Sequence, residues 1–247
     1  MNDAGIRTDA QKVFDTYEHL ATEILRKGYR HNPIYMARKA IVDWELMMAA
    51  GIEGKRVLNV GCFEPIDELL WAGLAAEWVG IDLSPRSIET AQTIVQRTLV
   101  PALAEKVRFR VMDAQALEFP DESFDVVVSF SVIDHIPDPA VRHRAILEMG
   151  RVVRRGGAVI VTVPNRFGYF RALHRRNVRR GIVSDVGYQY FYAPGELRAE
   201  LRAAGLMPIR YTSDLKNVND LPKYVRALIR PLEWFGDRMG YLARKPT

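Results

Sequence analysis

The first fifty residues place hydrophobic positions at helical spacing. Apolar residues recur every three or four positions in two stretches, the first from Val13 to Leu25 and the second from Met36 to Met48. The polar stretch KGYRHNP separates them, and glycines follow the second at 51 and 54. This pattern predicts two amphipathic helices ahead of the main fold.

After residue 50, apolar runs of strand length alternate with helical patterns. The pattern predicts strands at 56–60, 76–82, 107–113, 124–130 and 156–164, and helices at 65–76, 84–99 and 139–153. The run FDVVVSF at 124–130 is apolar without alternation, which is typical of a central strand covered on both faces. This repeated order of strand and helix predicts a parallel sheet with right-handed crossovers.

The stretch 165–192 breaks this rhythm because it is basic and aromatic. Beyond it, the pattern predicts a helix at 193–205, a strand near 206–213, a helix at 220–234 and a last strand at 240–245. The predicted fold class is therefore α/β, a doubly wound and mostly parallel seven-stranded sheet of Rossmann-like type. We expect one domain, in which 1–50 is an N-terminal helical cap, 51–165 a cofactor-binding core, 165–192 an inserted cap segment and 193–247 the C-terminal part of the sheet.

Composition adds limits on the class of protein. The 247 residues, 48% of them hydrophobic, suffice for one large domain with its own core. No apolar run approaches the length of a membrane span, and the N-terminus shows no secretory signal. Cys62 is the only cysteine, which excludes an intrachain disulfide and favours a cytoplasmic location. The net charge of +5 is mild and points to anionic small molecules rather than to nucleic acid.

Candidate chemistry begins with the loop VLNVGCFEP at 57–65. In an open parallel sheet, ligands bind beyond the carboxyl ends of the strands. Gly61 permits a tight turn there, and Asp82 ends the next predicted strand, where a carboxylate accepts hydrogen bonds from both hydroxyls of a ribose. The pattern therefore predicts a cofactor that contains a ribose.

The same loop disfavours a dinucleotide. A pyrophosphate needs free backbone N–H groups and positive potential, but Pro65 has no N–H and Glu64 adds a negative charge. The GxGxxG fingerprint is absent, so a nicotinamide-dependent oxidoreductase is the weaker alternative. Asp113 and Ala114, after the third strand, suit an adenine amino group, and S-adenosylmethionine combines ribose and adenine without phosphate. The other interpretation is that Asp82 and Asp113 only cap the turns that follow them.

Four segments together resemble the class I S-adenosylmethionine-dependent methyltransferases, in particular the small-molecule branch around ubiquinone biosynthesis. They are VLNVGC (57–62), VGIDLSP (79–85), VMDAQALEFPDESFDVVVSFSVIDHIPDP (111–139) and RVVRRGGAVIVTVPN (151–165). The resemblance covers about residues 50–165 and, loosely, the last strands. It implies an enzyme that transfers a methyl group to oxygen, nitrogen or carbon of a small organic metabolite.

The resemblance also implies positions for the cofactor. Gly61 and Cys62 pack by its methionine portion, and Ser129 lies close to it. The full set of expected cofactor-binding residues is Asn59, Gly61, Cys62, Asp82, Leu83, Asp113, Ala114 and Ser129. The family usually has aspartate in place of Asn59 and glycines in place of Phe63 and Pro65. These departures motivate a second hypothesis, a cofactor-binding scaffold or activator without methyltransferase activity.

His135, just past the fourth strand, is the candidate catalytic base for an acceptor that must lose a proton. Some relatives place a Glu-x-x-Glu-His metal site here, but the matching positions are Ser131, Asp134 and His135, so the first ligand is missing and no metal is expected. A nucleophilic pair of Cys62 with His135 is a further, weaker possibility.

The stretch 166–180 carries six arginines, of which Arg171, Arg175 and Arg179 share one helical face. They indicate a solvated helix or a site for an anionic acceptor, and contact with a membrane surface or with nucleic acid is a weaker alternative. The aromatic residues at 188–192 line a pocket for a flat acceptor or belong to the core. Because position 59 lacks a charge, we also expect one of three cap residues to reach the cofactor's carboxylate: Tyr17, Tyr29 or Arg30. The oligomeric state does not follow from the sequence.

Overall fold

The structure is a computed structural model, and it describes residues 3–27, 33–168, 188–215 and 234–247. Two long helices come first, α1 (Asp3–Lys27) and α2 (Pro33–Ala50), as the helical spacing predicts. The core then follows as β1 (Arg56–Val60), α3 (Ile66–Trp71), β2 (Glu77–Asp82), α4 (Pro85–Thr98), α5 (Pro101–Ala104), β3 (Val107–Val111), β4 (Phe124–Phe130), a 3-10 turn (Ile133–His135), α6 (Pro139–Val152) and β5 (Val153–Pro164). The last described elements are α7 (Pro194–Ala203), β6 (Met207–Ser213) and β7 (Arg238–Arg244).

The strands form one seven-stranded sheet in the order β3-β2-β1-β4-β5-β7-β6. The pairs of β1 with β2 and β4, of β2 with β3 and of β4 with β5 are parallel, while β7 runs antiparallel to β5 and β6. This confirms the predicted doubly wound, mostly parallel sheet. The order reverses between β1 and β4, so the crevice between their carboxyl ends is the place for a ligand in this fold.

The sheet separates two hydrophobic cores because side chains along each strand alternate between its faces. On one face, Leu58 and Val60 of β1 pack in a cluster with residues of α6 and α7, such as Ile146 and Leu197. On the other face, Val57 packs with Trp78, with Trp71 and with residues of α2. All the strand residues named here are fully buried, so the two cores hold the carboxyl ends of β1 and β4 in a fixed relation.

Several predicted boundaries were wrong, including the end of the helix predicted at 193–205, which ends at Ala203, and the start of the last strand, which begins at Arg238 rather than at 240. The helix predicted at 65–76 ends at Trp71, because the chain turns at Gly73, and Leu74 and Ala75 both donate backbone hydrogen bonds to the Trp71 carbonyl. Strand β3 ends at Val111, two residues before Asp113, and β5 begins three residues earlier than predicted, at Val153, which pairs with Phe124. The helix predicted at 220–234 lies outside the described residues except for its last position.

Helix α1 lies against the carboxyl edge of the sheet rather than away from it. It packs along α4, where Thr90 donates a hydrogen bond of 3.3 Å to the carbonyl of Ala21. Glu18 accepts hydrogen bonds from the hydroxyl of Ser84 and from the backbone N–H of Arg86, at the N-terminus of α4. No helix among the described residues is long and apolar enough to cross a membrane.

Candidate active site

Two loops meet at the crevice where the strand order reverses. One follows β1 and begins at Gly61, and the other follows β4 and begins at Ser131. Gly61 has φ +77°, and a Cβ added to it would lie 2.4 Å from both Cγ atoms of Val132. The two loops are therefore in contact, and only glycine fits both the space and the backbone conformation at position 61.

The backbone N–H groups of the β1 loop are already used inside the protein. Gly61 and Cys62 both donate to the Ile81 carbonyl, at 2.8 and 2.9 Å, and Phe63 donates to a carboxylate oxygen of Asp82. Pro65 has no N–H to offer. A pyrophosphate would find few donors here, whereas S-adenosylmethionine carries no phosphate, and the ammonium group of its amino acid portion is itself a donor. The loop thus fits S-adenosylmethionine, as the sequence predicts.

Asp82 links the β1 loop to the start of α4. Its two carboxylate oxygens accept hydrogen bonds from the backbone N–H groups of Phe63, at 3.0 Å, and Ser84, at 2.9 Å. Burial raises its pKa to about 6, although both hydrogen bonds oppose that shift. Each carboxylate oxygen has a second lone pair, so this geometry leaves acceptor capacity for ribose hydroxyls at neutral pH.

Phe63, at a position where the family usually has glycine, keeps a glycine-like backbone conformation. Its φ is +37°, a positive value that residues other than glycine rarely adopt. The hydrogen bond to Asp82 holds its N–H, and its ring packs edge-on against Tyr17 of α1 with the ring centroids 4.8 Å apart. The added bulk of Phe63 is therefore covered by the N-terminal helix.

Asn59 is buried and bound to a carboxylate that sequence reasoning missed. Its amide nitrogen donates a hydrogen bond of 2.8 Å to Oε1 of Glu68, which also accepts one of 2.9 Å from the indole N–H of Trp78. Burial, and then the neighbouring charge of Asp67, raise the pKa of Glu68 to about 7. A charged residue inside the helical pattern at 65–76 was the only signal of this carboxylate, and it did not indicate which way the side chain points.

On the acceptor side, the short 3-10 turn after β4 presents Asp134 and His135. Nδ1 of His135 lies 3.0 Å from the backbone carbonyl of Tyr188, and a carbonyl can only accept, so Nδ1 carries the hydrogen. Nε2 is then the proton-accepting nitrogen, and it lies 3.5 Å from Oδ2 of Asp134. Gln189 donates a hydrogen bond of 2.9 Å to the same oxygen. The Tyr17 ring packs edge-on against His135 at 5.5 Å, so one cap residue touches both loops.

The hydroxyl of Ser131 accepts a hydrogen bond from an arginine of the protein itself. The guanidinium of Arg238, at the start of β7, donates hydrogen bonds to the hydroxyls of Ser131 and Thr162 and pairs with Asp43 of α2 at 3.0 Å. Asp43 also binds Lys39, which bridges at 3.0 Å to Asp67 of α3. The described residues contain no group of three or more His, Cys, Asp or Glu side chains that could hold a metal ion.

The remaining predicted residues differ in what surrounds them. Asp113 accepts hydrogen bonds from the backbone N–H of Gln115, at 3.0 Å, and from its side-chain amide, at 2.8 Å, so it does cap the following turn. Its role and that of Ala114 toward adenine stay predictions. Ser129 is fully buried, and its hydroxyl has no hydrogen-bond partner in the described part of the chain, whereas Leu83 is exposed.

Two further expectations concern a nucleophilic pair of Cys62 with His135 and an acceptor pocket lined by the aromatic residues at 188–192. Burial, and after it the charge of Glu68, raise the pKa of the Cys62 thiol well above its ordinary value, so it is not an activated nucleophile beside His135. Tyr192 is fully buried, and the Tyr190 ring is held between the guanidinium groups of Arg142 and Arg166. Both tyrosines therefore serve packing. Tyr29, Arg30 and the arginines at 171, 175 and 179 lie outside the described residues.

Comparisons with known proteins agree with this geometry. A family model described as a methyltransferase domain matches residues 58–161. The ubiquinone biosynthesis O-methyltransferase of Bordetella bronchiseptica is 30% identical over 213 residues, which cover 83% of each chain. The 27-O-demethylrifamycin SV methyltransferase of Amycolatopsis mediterranei is 31% identical over 180 residues, 70% of this chain and 59% of that protein.

The fold has solved counterparts as well. The structure of N-methyltransferase NodS from Bradyrhizobium japonicum in complex with S-adenosyl-L-homocysteine matches 96% of this chain and 100% of its own, with a TM-score of 0.66 at 15% identity. The relatives do not favour the nicotinamide-dependent or the non-catalytic alternative. The cofactor of this protein is S-adenosylmethionine, and the chain belongs to the class I S-adenosylmethionine-dependent methyltransferases.

Proposed function

We propose that the protein methylates a hydroxyl oxygen of a small aromatic metabolite, with His135 as the general base. The observation that carries this proposal is the orientation of the His135 ring, whose Nδ1–H is held by the Tyr188 carbonyl, so that Nε2, 3.5 Å from Oδ2 of Asp134, is the nitrogen that accepts a proton. A hydroxyl acceptor must lose its proton during methyl transfer, so this arrangement suits oxygen as the methylated atom. The names of two relatives, a ubiquinone biosynthesis O-methyltransferase and a 27-O-demethylrifamycin SV methyltransferase, support oxygen as the methylated atom.

The bound cofactor supplies an activated methyl group, and the protein aligns the acceptor and takes up its proton. The acceptor O–H proton moves to Nε2 of His135, and the oxygen forms the new bond to the methyl carbon while the carbon–sulfur bond breaks. The imidazolium that results lies 3.5 Å from Oδ2 of Asp134, which is fully buried and stabilises the charge. The rings of Tyr17, Phe63 and His135 provide apolar walls for a flat acceptor and exclude water.

The domain division enters this proposal as well. Helix α1 covers both loops through Tyr17, and we assign residues 1–50 the role of a cap over a single 1–247 domain. We also assign the cofactor contacts expected from the sequence: Asp82 to the ribose, Asp113 and Ala114 to the adenine, and Asn59, Gly61 and Cys62 to the methionine portion, with Leu83 and Ser129 beside them. An anionic group on the acceptor would be bound by the arginines of 166–180.

The test compares His135→Gln with the matched control His143→Gln, which changes a histidine on α6. Activity is followed as S-adenosylhomocysteine formed with aromatic hydroxyl acceptors of graded acidity. We expect His135→Gln to lower kcat/KM by a factor on the order of 10²–10⁴ for weakly acidic hydroxyls, and much less for acceptors that are already ionised. Binding of S-adenosylhomocysteine stays unchanged. A loss below threefold, or one that is equal across the acidity series, would contradict the assignment of His135 as base.

A further inference from the structure

The carboxylate of Glu68 lies in the core beside the β1 loop and has no role in the chemistry described so far. It is fully buried on α3. Oε1 accepts hydrogen bonds from Asn59 and Trp78, whereas Oε2 has no hydrogen-bond partner in the described part of the chain. Burial of a carboxylate oxygen without a hydrogen bond costs free energy of folding, which indicates that Glu68 is retained for a function.

Glu68 fixes the orientation of the Asn59 amide. Because the Nδ2 group of Asn59 donates to Glu68, the amide oxygen Oδ1 faces the opposite way and is available as an acceptor. Asn59 is the penultimate residue of β1, two positions before Gly61. The hydrogen bond to a carboxylate also polarises the amide, which makes its oxygen a stronger acceptor.

The charges around the loop favour a cation. Asp67 and Glu68 are adjacent acidic residues at the start of α3, and Asp43 of α2 lies next to Asp67 through their common partner Lys39. Lys39 pairs with both aspartates and Arg238 pairs with Asp43, so two cations balance the two aspartates, while Lys39 makes no hydrogen bond to Glu68 in the described residues. The amino acid portion of the methyl donor carries an ammonium group, which the ionised carboxylate of Glu68 attracts.

We propose that Glu68 is a positioning residue for the methyl donor: it holds Oδ1 of Asn59 toward the donor's ammonium group and supplies the negative charge that position 59 itself lacks. This inference rests on the donor half of the proposed function and is independent of the acceptor and of His135. It also explains how a loop without an aspartate at position 59 retains its attraction for the donor.

Protonation of Glu68 gives the inference a signature that a purely structural role would not produce. Burial, with Asp67 as the next cause, places the pKa of Glu68 at about 7. The groups that face it are Asp67 on α3, Asn59 on β1, Trp78 on β2 and the Cys62 thiol in the loop. A bound ammonium favours the ionised carboxylate, so donor-site binding releases a proton near neutral pH and weakens as the pH falls below about 7.

The experiment measures binding without turnover, by calorimetry with two ligands. S-adenosylhomocysteine retains the amino acid portion, and 5′-methylthioadenosine lacks it. In Glu68→Gln, whose amide oxygen still accepts from Asn59 and Trp78, we expect the affinity for S-adenosylhomocysteine to fall about tenfold, the scale of one charge-assisted hydrogen bond. The affinity for 5′-methylthioadenosine stays within twofold. Glu105→Gln, an exposed change before β3 at the opposite end of the strands, is the control for loss of one charge.

The pH dependence is the second readout. Wild-type protein should bind S-adenosylhomocysteine more weakly at pH 6 than at pH 8 and release a proton on binding at pH 7. In Glu68→Gln both effects should shrink to the contribution of Asp82 alone, which binding of 5′-methylthioadenosine measures separately. Asp82, with a pKa of about 6, contributes equally to both proteins and to both ligands. Equal losses of affinity for the two ligands, or a proton release with S-adenosylhomocysteine that is as large in Glu68→Gln as in wild type, would overturn the inference. Since no acceptor is present, failure of the His135 proposal leaves this result unaffected.

Discussion

Substitution of Gly61 by alanine tests the contact between the donor loop and the acceptor loop. The new Cβ would lie 2.4 Å from both methyl carbons of Val132 and 2.9 Å from its Cβ, and φ at this position is +77°. A left-handed conformation costs about 1–2 kcal/mol for a residue with a Cβ. An overlap in a packed site costs about 1–3 kcal/mol more. We therefore expect Gly61→Ala to lower the free energy of unfolding by roughly 2–5 kcal/mol.

Urea denaturation of four proteins separates the two costs. Val132→Ala removes the two methyl groups at 2.4 Å but keeps the Cβ at 2.9 Å, so the double variant should recover most of the overlap and keep mainly the cost of the backbone conformation, about 1–2 kcal/mol. Val132→Ala alone corrects for the cavity that this change leaves. Because Val132 precedes the turn that carries Asp134 and His135, Gly61→Ala should also lower methyl transfer more than cofactor affinity. A single variant within about 0.5 kcal/mol of wild type, or strictly additive effects, would refute the reasoning.

Three further predictions concern buried groups. Burial raises the pKa of Glu68 from 4.5 to about 7, so ionisation of this carboxyl lowers the stability of the wild-type protein as the pH rises. The free energy of unfolding of Glu68→Gln, relative to wild type, should therefore increase by up to about 3 kcal/mol between pH 5 and pH 8. Stability curves of the two proteins that run parallel over this range would contradict the prediction. Arg238→Met leaves the buried Asp43 without its guanidinium partner and should cost about 3–5 kcal/mol in urea denaturation. Arg210→Met, at an exposed ion pair, should cost less than about 1 kcal/mol, and similar losses in both would be evidence against the network. The thiol of Cys62 should react with iodoacetamide at pH 8 only after unfolding, and rapid labelling of the native protein would disprove its burial.

Local pattern alone predicted the parts of the sheet that are covered on both faces. Strands β1 and β4 occupy the predicted residues, 56–60 and 124–130, because an apolar run between two cores has no competing interpretation. The carboxyl ends of these strands then had to carry the ligand, which placed Gly61 and His135 in facing loops. Strand β3 was less well bounded, since only its partner β2 and the turn at Asp113 determine where it ends.

The side-chain partners across the site could not be predicted, because each depends on how separate elements pack against one another. Arg238 reaches Asp43 and Ser131 from the start of the last strand, across separations of 195 and 107 residues. Glu68 reaches Asn59 because the acidic first turn of α3 faces the sheet, with Asp67 and Glu68 both buried. Periodicity specifies the face of a helix but not the buried polar group that a neighbouring strand presents to it.

The unusual donor loop and the N-terminal helix account for each other. Phe63 is in a conformation that suits glycine, and its ring needs a cover that a glycine would not need. Tyr17 supplies that cover and touches His135 as well, while Glu18, the next residue, ties the same helix to the start of α4 beside Asp82. Loss of the family's glycine therefore couples the donor loop to the cap, and the cap to the base. Phe63 adds to α1 an anchor in the donor loop that a glycine could not provide, so the substitution that looks like decay of the motif is better explained as the point where the cap is attached to that loop.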